Sequence, residues 1–414
     1  MQKSNSIIII LTLLFPLLLY SQTTRTLDFY LDEGVKNSPL LKDLSNQIKS
    51  AETDSLIITA NQKPQVTLIG QVLIAPVYKG FGYDEAGTNR GAYIGMVNVS
   101  KLLANKKYVA AQYETLHLQN QSMTNTAKIS EHDLKKSITD QYLIAYQDKK
   151  QLEAAEPVID LLKRETVILK ELAAEGMYKQ GDLLSFTIEL QTQEIAYEQL
   201  KVQYKSDLYS LNNLCGILDT STVVIAPPNV LKHRDFSLEL LPAFMKFYLD
   251  SLTNTNSKKL IDLNYRPQLS AVANAGLNAV PIVGVEQAYG FSIGLNFTMP
   301  LYDGHQRQLG YKKLEYAEDT RRNYKSFLSI QTKIQLQQLD ESLRANASIK
   351  NLLSKQGTDI QTLLELNKIQ LNEGSLSITD YTLNLKRLLD LQNDLNAAEI
   401  KELLLINSYN YIVW

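Results

Sequence analysis

The stretch Tyr289–Leu301, YGFSIGLNFTMPL, decides the fold. Tyr289, Phe291, Ile293, Leu295, Phe297, Met299 and Leu301 alternate with Gly290, Ser292, Gly294, Asn296, Thr298 and Pro300. A period of two, apolar on one side and small or polar on the other, marks a strand whose faces meet different surroundings. Just before it, Leu269, Ala271, Ala273, Ala275 and Leu277 alternate more weakly with Ser270, Val272, Asn274, Gly276 and Asn278. Two settings fit such a pair: lipid on the apolar side, or the core beneath a soluble hairpin.

After Leu301 the pattern changes. His305–Asn372 is rich in Leu, Gln, Lys and Glu, and a second helical run extends from Ser375 to about Tyr411. Tyr381, Leu385, Leu388, Leu391, Leu395 and Ala398 recur in steps of three and four, as helices packed in a coiled coil require. About 70 residues at helical rise make a rod on the order of 100 Å long.

Upstream, the chain has already said the same thing. KPQVTLIGQVLIAPVY from Lys63 pairs with RPQLSAVANAGLNAVP from Arg266 at an offset of 203. GAYIGMVNVSKL from Gly91 pairs with GFSIGLNFTMPL from Gly290 at 199. EGMYKQGDLLSFT from Glu175 pairs with EGSLSITDYTLNL from Glu373 at 198. A conserved order of motifs at a near-constant offset is a duplication of one unit of about 200 residues. The expected organisation is 22–215 for the first repeat and 216–414 for the second. The first holds N-terminal helices, strands at 64–79 and 91–101, and a helical hairpin turning near 176–182. The second holds a helix, strands at 267–282 and 288–302, and a hairpin turning near 374–380. In the first copy Ala92, Ile94 and Met96 share a face opposite Gly95 and Val97, and its rod lies at Leu103–Ala174 and Gly181–Leu214. Tyr78, Phe81, Tyr83, Tyr93, Tyr289 and Tyr302 stand near strand ends, where a membrane barrel carries aromatic girdles.

Each Glu-Gly lies where a rod reverses, and a glycine there can take the left-handed conformation that closes a helix. Asp182 and Asp380 follow six residues later, at the start of the returning helix, where a carboxylate complements the helix dipole. The first descending rod also contains Pro157, 19 residues before Gly176, and the second contains Gly357. Proline removes a helical hydrogen bond and glycine weakens helix propensity. Both rods are therefore expected to bend or loosen at one height, about 28 Å from the turns at helical rise.

The N-terminus carries an address. Ile7–Tyr20 is a short apolar run after Lys3, interrupted by Pro16 and followed by Ser21. This is the layout of a secretory signal peptide over residues 1–21, and the run is too short for a spanning helix. A net charge of −2 gives no footprint for nucleic acid, and the single Cys215 excludes an internal disulfide. His117, His132, His233 and His305 are scattered without metal-ligand spacing. No Ser-His-Asp set or phosphate loop is present, and no paired carboxylates stand outside the turns, so neither an enzyme, a metal nor a cofactor is expected.

These features together resemble the TolC-like outer-membrane efflux proteins. The likeness rests on TLDFYLDEGVKNSPLLKDLSNQIKSAE at Thr26–Glu52, the strand pair at RPQLSAVANAGL, the step PLYDGHQRQLGYKKLEYA into the rod, and the tip EGSLSITDYTLNLKRLLDLQNDLNAAEI. Singly each is weak; their order and doubling carry the resemblance. It implies a mainly α chain with a β-barrel part, in which long antiparallel coiled-coil hairpins form a tunnel. Four strands per chain would close as a twelve-stranded barrel in a homotrimer. It further implies a passive exit duct for efflux or type I secretion in the outer membrane of a Gram-negative bacterium. Such a duct works with a periplasmic membrane-fusion (adaptor) protein and an inner-membrane pump of the RND or ABC type. The other reading of the residues is a soluble periplasmic coiled-coil scaffold or adaptor protein.

By the same resemblance, Asp182 and Asp380 fall on the ring of carboxylates at the narrow periplasmic entrance. Tyr178, Lys179 or Tyr381 would supply the gate-holding contacts that an arginine makes elsewhere in the family, because the second tip here reads SLSIT. Gly176, Gly181 and Gly374 would shape the turns that face the adaptor. The first copy departs from the family at VSKLLANKKY, which replaces the Pro-Leu-Tyr-Asp-Gly step.

Overall fold

The computed structural model describes residues 24–76, 78–82, 91–103, 106–233, 237, 241–280 and 285–414. The leader expected over 1–21 and the girdle residue Tyr83 lie outside the described residues. In chain order the elements are α1 (Leu27–Asn37), α2 (Pro39–Asn61), β1 (Gln65–Ile74), β2 (Gly91–Leu103), α3 (Lys106–Ala174), α4 (Gln180–Leu214) and α5 (Pro242–Asn264). Then follow β3 (Gln268–Ala279), a short 3-10 turn at Val285–Gln287, β4 (Tyr289–Thr298), α6 (Gln306–Asn372) and α7 (Ile378–Ile412). The start of α2 shows why Asn-Ser-Pro stands there: Ser38 caps the helix by accepting from the Leu41 N–H, and Pro39 fills the first turn without wasting a donor.

Contacts divide the chain into two compact units, each drawing on both repeats. One comprises the chain up to Asn37, Lys135–Leu231 and Leu343–Asn407; the other comprises Ser38–Leu134, Lys232–Ser342 and Ser408–Trp414.

The second of these units holds the sheet. Its strands run antiparallel in the order β1-β2-β3-β4, leaving β1 and β4 as edges. Register assigns the faces, because directly paired residues share one. Val66, Val99, Ala273 and Ile293 form one row, and Leu68, Val97, Ala275 and Phe291 the next. On the other face Thr67, Asn98, Asn274 and Ser292 line up, and the Ser292 hydroxyl donates to Asn274 Oδ1 at 3.0 Å. In β2 the apolar face is carried by Tyr93, Val97 and Val99, so Ala92, Ile94 and Met96 lie on the face of the polar row. The strands are shorter at some ends than their apolar pattern: β1 stops at Ile74, before Pro76, and β4 stops at Thr298, before Pro300. Proline has no N–H for the ladder, which ends the pairing where the side-chain alternation could continue.

The two strand-to-rod steps differ. After β4, seven residues intervene, and Asp303 accepts the backbone N–H groups of His305 and Arg307 at 2.9 and 2.8 Å to start α6. After β2, α3 starts within three residues and has no such aspartate. Asn256 ties α5 to α3 by donating to the Ala111 carbonyl and Thr115 Oγ1, each at 2.9 Å.

The first unit packs around Val158, Leu162 and Leu169 of α3, Phe186 of α4, Leu371 of α6, and Ile378, Tyr381, Leu385 and Leu389 of α7. Of the positions read in steps of three and four along α7, Tyr381 and Leu385 belong to this core, whereas Leu388, Leu391 and Leu395 line an open groove. Beside α1, Arg25 pairs with Asp219 at 2.5 Å, and burial pushes the Cys215 thiol up to about 12, leaving it an inert donor to the Tyr30 carbonyl.

Candidate functional site

Both hairpin turns lie in the first unit, and both are closed by the same backbone device. In the first, the Met177 N–H bonds the Leu172 carbonyl at 3.0 Å and the Gly176 N–H bonds that of Ala173 at 3.2 Å. In the second, Ser375 bonds Gln370 at 2.9 Å and Gly374 bonds Leu371 at 3.1 Å. This double bond closes a helix only if the residue after the cap is left-handed, and Gly176 and Gly374 have φ of 83° and 71°. The repeated Glu-Gly is therefore a repeated stop signal.

The returning helices differ in how they begin. Asp182 is the third residue of α4, and its Oδ2 accepts the Lys179 N–H at 3.3 Å. Half of a capping box results, since the lysine side chain has no acceptor to complete it. Gly181 belongs to the first turn of α4 and not to the connection. Asp380 occupies the matching third position of α7 and is exposed.

Tyr178 joins the two turns. Its hydroxyl lies 2.8 Å from the Leu371 carbonyl and 3.0 Å from the Leu376 carbonyl, and it donates to them. One proton serves two acceptors, so the bond is shared between them. Leu371 lies in the last turn of α6, and its carbonyl, which already accepts the Gly374 N–H at 3.1 Å, offers its second lone pair to the tyrosine. The ring packs against the core of the unit, and burial, reinforced by Asp182, raises the hydroxyl's pKa above its usual 10.0. At Gly374 an added Cβ would come within 3.1 Å of Met177 Cε, so the turns also touch through that methyl group. Tyr381 plays a different part: it is 2% exposed and stacks on Phe186 with ring centroids 6.5 Å apart, as core. Lys179 is exposed.

Pro157 and Gly357 come together on one open groove of about 650 Å³, which Lys150, Glu153, Ser354, Leu391 and Gln392 also line. Helices α3 and α6 are each continuous past them, so neither residue ends its helix. Pro157 still leaves the Glu153 carbonyl without its N–H partner.

Sequence reasoning missed two buried acids. Val158, Leu162, Glu165 and Leu169 follow steps of four, three and four, so Glu165 occupies a seam position reserved for apolar residues. It is 2% exposed, its Oε2 has no hydrogen-bond partner, and Lys368 Nζ stands 3.9 Å from Oε1. Burial raises its pKa, against the opposing pull of Lys368 and then Arg164. Asp148, buried on α3 beside Asp207 of α4, is raised to about 7, first by desolvation and then by that second carboxyl. The spacing around Glu165 was the available signal.

No family model and no curated protein matches this chain. Solved structures do. The chain is similar to the Campylobacter jejuni CmeC outer membrane channel, with TM-score 0.70 and 14% identity over 93% of this chain and 85% of that one. It is similar to the outer membrane protein VceC of Vibrio cholerae, with TM-score 0.73 and 13% identity over 93% and 95%. The open state of the Neisseria gonorrhoeae MtrE outer membrane channel gives TM-score 0.73 and 10% identity over 93% and 88%. The fold is that of these outer-membrane channels, as the resemblance in the sequence led one to expect.

Proposed function

We propose, from this shared fold, that the chain is the outer-membrane exit duct of an efflux or type I secretion system. The observation that carries the proposal is the sheet. Its four strands present an exposed apolar face, and both of its edges are open. An open edge is not tolerated in hydrocarbon, because its N–H and C=O groups have no water to bond. In lipid, β1 of one copy must pair with β4 of another, and three copies then give a twelve-stranded barrel. A second feature supports assembly. Ile188, Ile195, Val202 and Tyr209 are seven residues apart along α4 and all exposed among the described residues, a seam open to a second copy.

The duct is passive. Energy comes from an inner-membrane transporter of the RND or ABC type, and a periplasmic membrane-fusion protein joins the two at the turns around Gly176 and Gly374. In a closed ring the Tyr178 bonds hold neighbouring hairpins together, and Asp182 and Asp380 each make a ring of three carboxylates that favours cations. Pro157 and Gly357 are the hinges about which the tips swing outward.

The test is cell fractionation followed by electrophoresis without heating. An outer-membrane species of trimer size that collapses to the monomer on boiling is expected. A soluble periplasmic monomer would instead make the chain a coiled-coil scaffold. In planar bilayers Asp182→Asn and Asp380→Asn are each expected to lower cation selectivity; unchanged selectivity in both would remove the aspartates from the pore.

A further inference from the structure

Register gathers one kind of charge at one end of the sheet. Gln65 pairs with Ser100, Leu103 with Leu269 and Gln268 with Thr298, so β1 and β3 start, and β2 and β4 finish, at the same end. Two residues before β1 stands Lys63, and two before β3 stands Arg266, each followed by proline and glutamine. The duplicated Lys/Arg-Pro-Gln thus places a cation at the same point of both strand pairs. Lys106 and Lys107 open α3 at this end, within four residues of β2.

Lys101 is the most telling of the group. It pairs with Ala271, which pairs with Leu295, so it stands in the apolar face of the sheet, one strand pleat in from the Leu103 row. Among the described residues it is the one charge in that face. All five cations are exposed, and none is in an ion pair among the described residues. The nearby acids are already engaged: Asp262 with Arg307 and the Tyr311 hydroxyl, Asp303 with two backbone N–H groups of α6. What is left is uncompensated positive charge on the helical side of an apolar band.

We propose that this belt binds the headgroups of anionic phospholipids in the leaflet facing the helices. The inference rests on the membrane reading above. A lysine in a lipid-facing row satisfies its ammonium by extending along the strand to the headgroup plane. Lys63 and Arg266, just past the strand ends, lie where phosphates of the same leaflet would stand. Lys101 decides between sources, since a free phosphate in water gains nothing from a cation mounted on an apolar face.

The experiment uses the full chain purified in neutral detergent, with phosphatidylglycerol and phosphatidylcholine as probes in native mass spectrometry. The wild-type protein is expected to retain phosphatidylglycerol over phosphatidylcholine. Lys63→Gln, Lys101→Gln and Arg266→Gln together should weaken phosphatidylglycerol binding on the order of 100-fold, about fivefold for each cation. The preference should fade with salt. Lys79→Gln, at the opposite end of the sheet, should change nothing. Equal retention of the two lipids, an unaltered triple variant, or an equal loss in Lys79→Gln would overturn the belt. Displacement by millimolar inorganic phosphate would overturn the assignment to lipid. Flotation with pure phosphatidylcholine vesicles separates the two readings. A chain that floats but shows no preference lacks the belt alone, whereas one that does not float refutes the barrel and the belt with it.

Discussion

Tyr178→Phe removes one oxygen and leaves the ring in the core of the turn unit. The hydroxyl serves the Leu371 and Leu376 carbonyls at 2.8 and 3.0 Å with a single proton. One shared hydrogen bond is worth about 0.5–1.5 kcal/mol net, and the half-exposed site lets water take up part of the loss. About 1 kcal/mol per chain shifts a closed-to-open ratio roughly fivefold. If three chains open together, the change is about 3 kcal/mol, or on the order of 100-fold. The assay is conductance in planar bilayers, with thermal unfolding beside it. Tyr178→Phe should open more often and melt slightly lower, and Tyr178→Leu, which also loses the ring, should do more. The pH dependence has a definite sign. The neutral phenol is the donor and its folded pKa lies above the usual 10.0, so the bond is fully present at neutral pH. It should be lost only as pH rises through that raised value. Conductance and melting both unchanged in Tyr178→Phe would refute the bond's role in holding the turns.

Three further outcomes follow. Glu165→Leu restores an apolar residue to the seam and should stabilise the protein by about 1–4 kcal/mol, read by chemical denaturation; a loss would show that Lys368 compensates the carboxylate. Asp148 titrates at about 7 in the folded chain against 3.8 unfolded, so its contribution declines as pH rises between those values. Asp148→Asn should therefore flatten the pH dependence of melting across that window, gaining at most roughly 4 kcal/mol above it; an unchanged slope would show Asp148 ionised at neutral pH. Pro157→Ala and Gly357→Ala should stabilise their helices by about 3 and 1 kcal/mol. A methyl at Gly357 would lie 3.4 Å from Leu391 Cδ2 and fits with little movement. If these residues are hinges, export should fall as melting rises; a rise in melting with export intact would dismiss them.

The fold was legible because its two periods are long and clean. Ten alternating residues in β4 and steps of three and four in α7 leave little choice of element, and Gly176 and Gly374 mark the reversals. What stayed hidden is long-range. The Tyr178 bond spans 193 residues, and nothing local distinguishes that tyrosine from Tyr381, which is buried core. In β2 both faces carry apolar residues, Tyr93, Val97 and Val99 on one and Ile94, Met96 and Leu102 on the other, so its two sides could be settled only by its neighbours' register. Glu165 was concealed by its own polarity: spacing assigned it to the seam, while its charge argued for the surface.

The bond from Tyr178 also breaks the symmetry that the duplication created. The position 198 residues on is Leu376, whose carbonyl is one of the acceptors. The first repeat carries the donor and the second has leucine in its place, so the link runs one way. A ring of three chains would have six turns but only three tyrosine ties, each between the two turns of one chain. The tie within a chain is then of a different kind from any joint between chains, and the aperture takes the rotational order of the trimer and not of the repeats.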